Sequence, residues 1–137
     1  MGNQNKFEEI KNINEIGQEY WSARELFKVL GYIKWDKFLN VIEKAKESCK
    51  NASQAPDDHF PRMEKMINLP KGAQRNIGDL HLSRYACYLI IQNADPSKEI
   101  IALGQTYFAV QTRKQEILER AFEQLKSEDE KRIFLRR

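Results

Sequence analysis

Reactive chemistry is scarce in this chain. There are two cysteines, Cys49 and Cys87, in 137 residues. Both fall on predicted apolar helix faces, where a thiol reads as a buried, reduced core residue rather than half of a disulfide or a redox pair. The chain has no N-terminal apolar run of signal-peptide type and no membrane-spanning segment, so it is expected to stay in the cytoplasm. GxSxG, HExxH and CxxC are all missing, as is any Cys/His arrangement of nucleophilic type, and a non-enzymatic role is expected. No GxGxxG or GxxxxGK[ST] occurs, which leaves no nucleotide-phosphate cradle. Two histidines are too few to build a ligand shell alone. The word Asp57-Asp58-His59-Phe60 puts two carboxylates beside one of them, but no second cluster at ligand spacing completes it. No metal and no cofactor are expected.

Charge of one sign is also in short supply. The net charge is +3. Residues 1–68 carry 11 Lys/Arg against 11 Asp/Glu, and residues 69–137 carry 12 against 9. That surplus leans toward a polyanion without deciding for one.

What is present is helical patterning. From Tyr85 to Ile91 apolar residues lie on nearly every side of a helix, too short to span a bilayer and therefore buried. Asp95-Pro96 interrupts it, Asp95 as a cap and Pro96 at the first helical position. The next helix is predicted to run from Pro96 to Leu125, about 45 Å at ~1.5 Å per residue. The two form a helical hairpin with a buried first arm and a long second one. Beyond the core the long arm exposes Ile117, Leu118, Ala121, Phe122 and Leu125, a face that needs cover. Ser127-Glu128-Asp129-Glu130 has the form of a capping box and predicts a separate final helix. That helix either folds back on the long arm or pairs with a second subunit. Leu118, Phe122 and Leu125 are the candidate self-association residues of a homodimer, and the chain is expected to continue beyond Arg137.

The N-terminal part is mixed. Phe7–Ile13 suits a strand or a short helix, the stretch around Gly17 a turn, and Tyr20-Trp21 a return strand, so a small hairpin is expected. Ser22-Ala23-Arg24-Glu25 has the capping-box form and opens a helix stopped by Gly31. Trp35, Phe38, Leu39, Ile42, Ala45 and Cys49 then trace one continuous apolar stripe on a second helix. Helix, Gly-containing turn and helix fit either a helix-turn-helix or an ordinary core pair, and the bulky Phe27 and the apolar Trp35 favour the core pair. Asp57 is predicted to cap a helix over Phe60–Ile67. The segment Asn68–Asp79 reads as a mobile loop, either a solvated connector or a phosphate-touching element with Lys71 and Arg75. Leu80-His81-Leu82 reads as a short strand able to pair with the hairpin. The fold class expected is α+β, mainly helical, with a globular domain over residues 1–113 and an extended helical tail over 114–137.

Long words in the sequence resemble one family. These are YWSARELFKVLGY at Tyr20–Tyr32, DDHF at Asp57–Phe60, and LSRYACYLIIQNADPSK with GQTYFAVQTRKQE between Leu82 and Glu116. The ending EDEKRIFLRR fits the same pattern. Together they are similar to the DNA-damage-inducible protein D family. The resemblance implies an N-terminal Bro-N-type domain, similar to viral and phage antirepressor proteins and associated with DNA binding. It also implies induction in the bacterial SOS response and a place near DNA or a recombinase filament, modulating repair or recombination. It supplies no DNA-contacting positions. Those come from exposed basic residues: Lys34 and Lys37 at the start of the second helix, Lys71 and Arg75 on the loop, and Arg113, Lys114 and Arg120 on the long arm. The competing expectation is a protein-interaction or self-association module with no direct DNA contact.

Overall fold

A computed structural model describes residues 4–135. Among the described residues six α-helices and six short strands follow one another. Helix α1 (Gln4–Glu9) leads into β1 (Lys11–Ile13), which pairs antiparallel with β2 (Glu19–Ser22), Lys11 opposite Trp21 and Ile13 opposite Glu19. The Asn14 side chain closes the turn by accepting from the amides of Ile16 and Gln18, and Gly17 takes the positive φ of 83° that the turn requires. Strand β6 (Asp79–Leu82) adds to β2, and β3 (Arg62–Met63) adds to β6, giving a sheet in the order β1-β2-β6-β3. The sheet therefore joins three strands from the first half of the chain to one, β6, from the second.

Helix α2 (Ala23–Val29) starts at Ser22, whose hydroxyl accepts from the Glu25 amide at 3.4 Å. Only half of the predicted capping box forms. Ser22 sits in the sheet, and its hydroxyl donates to Asp79. At the other end Gly31 N–H donates to Lys28 and Tyr32 N–H to Phe27, a Schellman closure with Gly31 at φ 77°. Helix α3 (Trp35–Asn51) turns Phe38, Ile42, Ala45 and Cys49 inward, the stripe its spacing predicts. It packs against α5 (Arg84–Gln92), which buries Ala86, Cys87, Ile90 and Ile91 and half-buries Tyr85, Tyr88 and Leu89. Burial pushes both thiols up, Cys87 well above its ordinary value, and both are free. They are inert core residues.

Three sequence expectations are overturned. Phe60–Ile67 is not a helix. The helix there is the single turn α4 (Pro56–His59), with Ala55 rather than Asp57 at its N-cap position and no side-chain cap, and the chain then passes through β3 into β4 (Met66–Asn68). The segment expected to be a loop is a two-stranded arm in which β4 pairs with β5 (Gln74–Asn76). Finally, no break occurs at Ser127: α6 (Glu99–Leu135) is one helix of 37 residues, about 55 Å long at ~1.5 Å per residue. It starts three residues after Pro96, because Asp95 accepts from the Ser97 amide and forms a turn first.

The core gathers where α6 begins. Phe108 meets Trp21 and Phe7 edge-on at 5.2 and 5.3 Å, and Phe7 stacks on Tyr107 at 5.4 Å. The Trp21 indole donates to the Phe7 carbonyl at 2.8 Å. Gly104 makes this approach possible. A Cβ there would lie 2.8 Å from Ile91 Cδ1 and 3.0 Å from Phe7 Cζ, both fully buried, so these side chains would have to shift within a packed core. No described helix is long and apolar enough to cross a membrane.

Candidate nucleic-acid interface

The arm formed by β4 and β5 stands apart from this core. Its pairs are Met66 with Asn76, Ile67 with Arg75, and Asn68 with Gln74. Ile67 is its one half-buried strand residue. The Leu69 amide donates to the Ala73 carbonyl at 2.7 Å, closing a tip in which Pro70–Gly72 make a single 3-10 turn. Lys71 and Gly72 both take positive φ, 69° and 79°. At the root Ile77 N–H donates to the Lys65 carbonyl at 2.8 Å, and Asn76 Oδ1 accepts from the amides of Lys65 and Gly78. Asn68 and Gln74 join across the strands at 3.2 Å.

The charge of the arm and of the segment leading into it from β3 is one-sided. Between residues 62 and 76 stand Arg62, Lys65, Lys71 and Arg75 against Glu64 alone, all exposed. The sequence reading names Lys71 and Arg75 but misses Arg62 and Lys65, because it places them on a helix. A signal was available: Pro70-Lys71-Gly72 is turn chemistry, flanked by short stretches of strand length.

A buried polar lock anchors the arm's base to the core. Asp79, buried at the start of β6, accepts from the Ser22 hydroxyl, the Arg24 amide at 3.0 Å and its neighbour's Leu80 amide at 2.8 Å. Arg24 reaches over the same junction, donating through Nε to the Gly78 carbonyl at 3.0 Å and through Nη2 to the Ile77 carbonyl at 2.5 Å. Its guanidinium carbon lies 3.8 Å from the Trp35 ring centroid, a cation–π contact that also covers the indole. Burial pulls the Arg24 guanidinium below its ordinary value while the Asp79 carboxylate pushes it back up. The apolar start of α3 is thus covered by Arg24 and by Phe27, 5.3 Å away. This favours the core-pair reading of α2 and α3 over a groove-entering helix.

The remaining predicted basic residues are exposed on other elements. Lys34 precedes α3 and Lys37 lies in its first turn, while Arg113, Lys114 and Arg120 lie on α6. Arg113 reaches Glu116 at 3.3 Å. Lys71 and Arg75 share the arm, and neither the α3 pair nor the α6 group lies on it. Leu118, Phe122 and Leu125 are 65%, 71% and 61% exposed.

An open cleft of about 920 Å³ lies between the β1–β2 turn, β3, α5 and α6. Both histidines line it, His59 sharing a 2.7 Å hydrogen bond with Ser83 and His81 stacked on Tyr20 at 4.1 Å. Its wall also carries Glu19, ion-paired with Arg84, and Glu116 and Glu119 of α6. No group of three or more potential metal ligands occurs among the described residues. The cleft is carboxylate-rich where the arm is basic, so a polyanion would be drawn to the arm.

Residues 9–109 match the model of the BRO family, N-terminal domain. That range covers the sheet, the arm and the first eleven residues of α6. The chain belongs to the BRO family through this domain. It is also 54% identical over 131 residues to DNA damage-inducible protein D of Escherichia coli (strain K12), an alignment covering 95% of this chain and 47% of the relative. The chain thus spans about half the length of that curated relative. No solved structure matches it.

Proposed function

We propose that this chain is a non-enzymatic DNA-damage-response protein that binds DNA, or a DNA–recombinase filament, and thereby modulates repair or recombination in the bacterial cytoplasm. The observation that carries the reading is the basic arm: a two-stranded ribbon with exposed amide side chains that bears Lys71 and Arg75, with Lys65 at its root and Arg62 on the adjoining β3, against the single carboxylate of Glu64. Cations position a protein on phosphates, and two-stranded ribbons read DNA through the major or the minor groove. Lys34, Lys37, Arg113, Lys114 and Arg120 are candidate secondary phosphate contacts. The printed name of the relative, damage-inducible, supports the same context.

The test is a titration of fluorescent single- and double-stranded DNA at two salt concentrations. Binding should weaken steeply with salt, by about 0.9 in log–log slope per duplex phosphate contacted. Undetectable binding at low salt, or affinity unchanged in Lys71→Ala/Arg75→Ala, overturns the direct-DNA reading.

A second reading rests on a different observation, the exposed apolar face of α6. Leu118, Phe122 and Leu125 recur at i, i+4 and i+7, the spacing of a partner-facing helix stripe. In this reading the chain self-associates through α6 without touching DNA. Light scattering on the eluting protein should give a dimer mass that Phe122→Asp/Leu125→Asp reduces to a monomer. A monomeric wild type at high concentration overturns it.

A further inference from the structure

The arm's tip is apolar although its sides are basic. Leu69 and Pro70 are both exposed at the far end, beyond the last strand pair of Asn68 and Gln74. Lys71 follows them directly, Arg75 lies on β5, Lys65 stands at the root, and Arg62 lies beyond it on β3. A solvated connector needs no leucine at its tip, and a purely electrostatic contact gains nothing from one. We propose that the Leu69-Pro70 tip is a wedge that inserts between stacked base pairs of duplex DNA and kinks it, while the flanking cations hold the phosphates on either side. This deepens the DNA-binding reading and rests on it.

Chemistry and dimensions both fit. Proline has no N–H, so burying it in a base stack strands no donor, and its ring loses little conformational freedom on insertion. Leucine and proline are among the side chains that proteins use to unstack a base step. The tip backbone is closed by the Leu69–Ala73 hydrogen bond, which fixes the loop before contact. From Lys65 to Pro70 five residues of extended chain span about 17 Å at ~3.3 Å per residue, whereas a minor groove is roughly 7.5 Å deep. The tip therefore reaches the base edges while the root stays outside the phosphates. The Arg24–Asp79 lock under Ile77 and Gly78 supplies the stiffness that a wedge needs, since a hinge there would let the arm fold back instead of bending the DNA.

The experiment uses a short duplex carrying a donor and an acceptor dye at its two ends. Energy transfer is read at saturating protein, alongside affinity and its salt dependence. Wild type should raise the transfer and should bind a duplex with a central mismatch about tenfold more tightly than the matched one, because the unstacking has already been met. Leu69→Ser/Pro70→Ser should lose both the transfer increase and the mismatch preference, with affinity for matched duplex changed less than about tenfold and the salt slope unchanged. Lys71→Ala/Arg75→Ala should lower the slope by about 2. Tight binding by wild type without bending overturns the wedge and leaves the DNA reading standing. Bending that persists in the tip variant also overturns the wedge. Failure of wild type to bind any duplex overturns the wedge, and failure to bind single strands as well overturns the direct-DNA reading with it.

Discussion

Strands β5 and β6 are separated by two residues, Ile77 and Gly78, and have opposite surroundings. Asp79, Leu80 and Leu82 of β6 are buried, whereas every residue of β5 is exposed. One strand is the middle of the sheet, with β2 on one side and β3 on the other; the other strand has only β4. Two isolated strands are marginal in water, so the arm holds its shape through its turn, its amide bonds and the Arg24 clamp at its base. The contrast separates what stabilises this chain from what it presents to a partner. Substitutions in the core should change stability and leave surface chemistry alone, and substitutions on the arm should do the reverse.

The largest effect expected is at the core. Phe108→Ala removes the ring that Trp21, Phe7 and Tyr107 pack against, and should cost about 3–5 kcal/mol in urea unfolding. A loss under about 1 kcal/mol would show that the start of α6 does not organise the core. Next is Gly104→Ala. Helix propensity favours alanine by about 1 kcal/mol, but the methyl meets Ile91 and Phe7, and overpacking of about 1–3 kcal/mol should win. A stabilised variant would mean that α5 and α6 are less tightly joined than the geometry states.

Third is the bond between the Tyr107 hydroxyl and Glu8, which ties α6 to α1. Tyr107→Phe should lose about 1 kcal/mol at neutral pH. Glu8 is held below its ordinary value, chiefly by that hydrogen bond and then by Lys11. Its contribution is therefore present above the usual glutamate range and fades as pH falls through it. Burial and then Glu8 push Tyr107 far above its ordinary value of 10, so that contribution fades only in strong alkali. The gap between wild type and variant in a pH series of melts should shrink at both ends; a gap independent of pH would refute the pairing. Smallest is the arm itself. Lys71→Ala/Arg75→Ala should change stability by no more than about 0.5 kcal/mol while altering DNA affinity. A large loss of stability there would erase the distinction between scaffold and arm.

Sequence reading reached the helices that bury a face. The stripe on α3 and the nearly all-apolar α5 are legible because a helix repeats its environment every turn. Local pattern misleads where the deciding contact is distant along the chain. Phe60, Met63 and Ile67 recur at helical spacing, yet Arg62 and Met63 pair with Leu80 and Asp79, and Ile67 lies opposite Arg75. Strand pairing depends on the partner more than on local propensity. Ser127 matches a capping box, but a serine caps only where the backbone leaves the helix. With no glycine or proline after Gly104, nothing forces it to leave. For the candidate interface, Lys71 and Arg75 were legible as cations on a turn-rich segment. Arg62 and Lys65 were hidden by the helix assignment, and Asp79 and Arg24 by their separation of 55 residues.

By itself, then, the sequence determined the helical scaffold, the inert thiols and the surplus of cations in a turn-rich stretch, because composition and short-range periodicity carry those. The tertiary structure alone decided that this stretch is a closed, clamped arm with an apolar tip. Its shape depends on hydrogen bonds from Arg24 and Ser22 across more than fifty residues to Ile77, Gly78 and Asp79, and no local pattern encodes a bond of that reach.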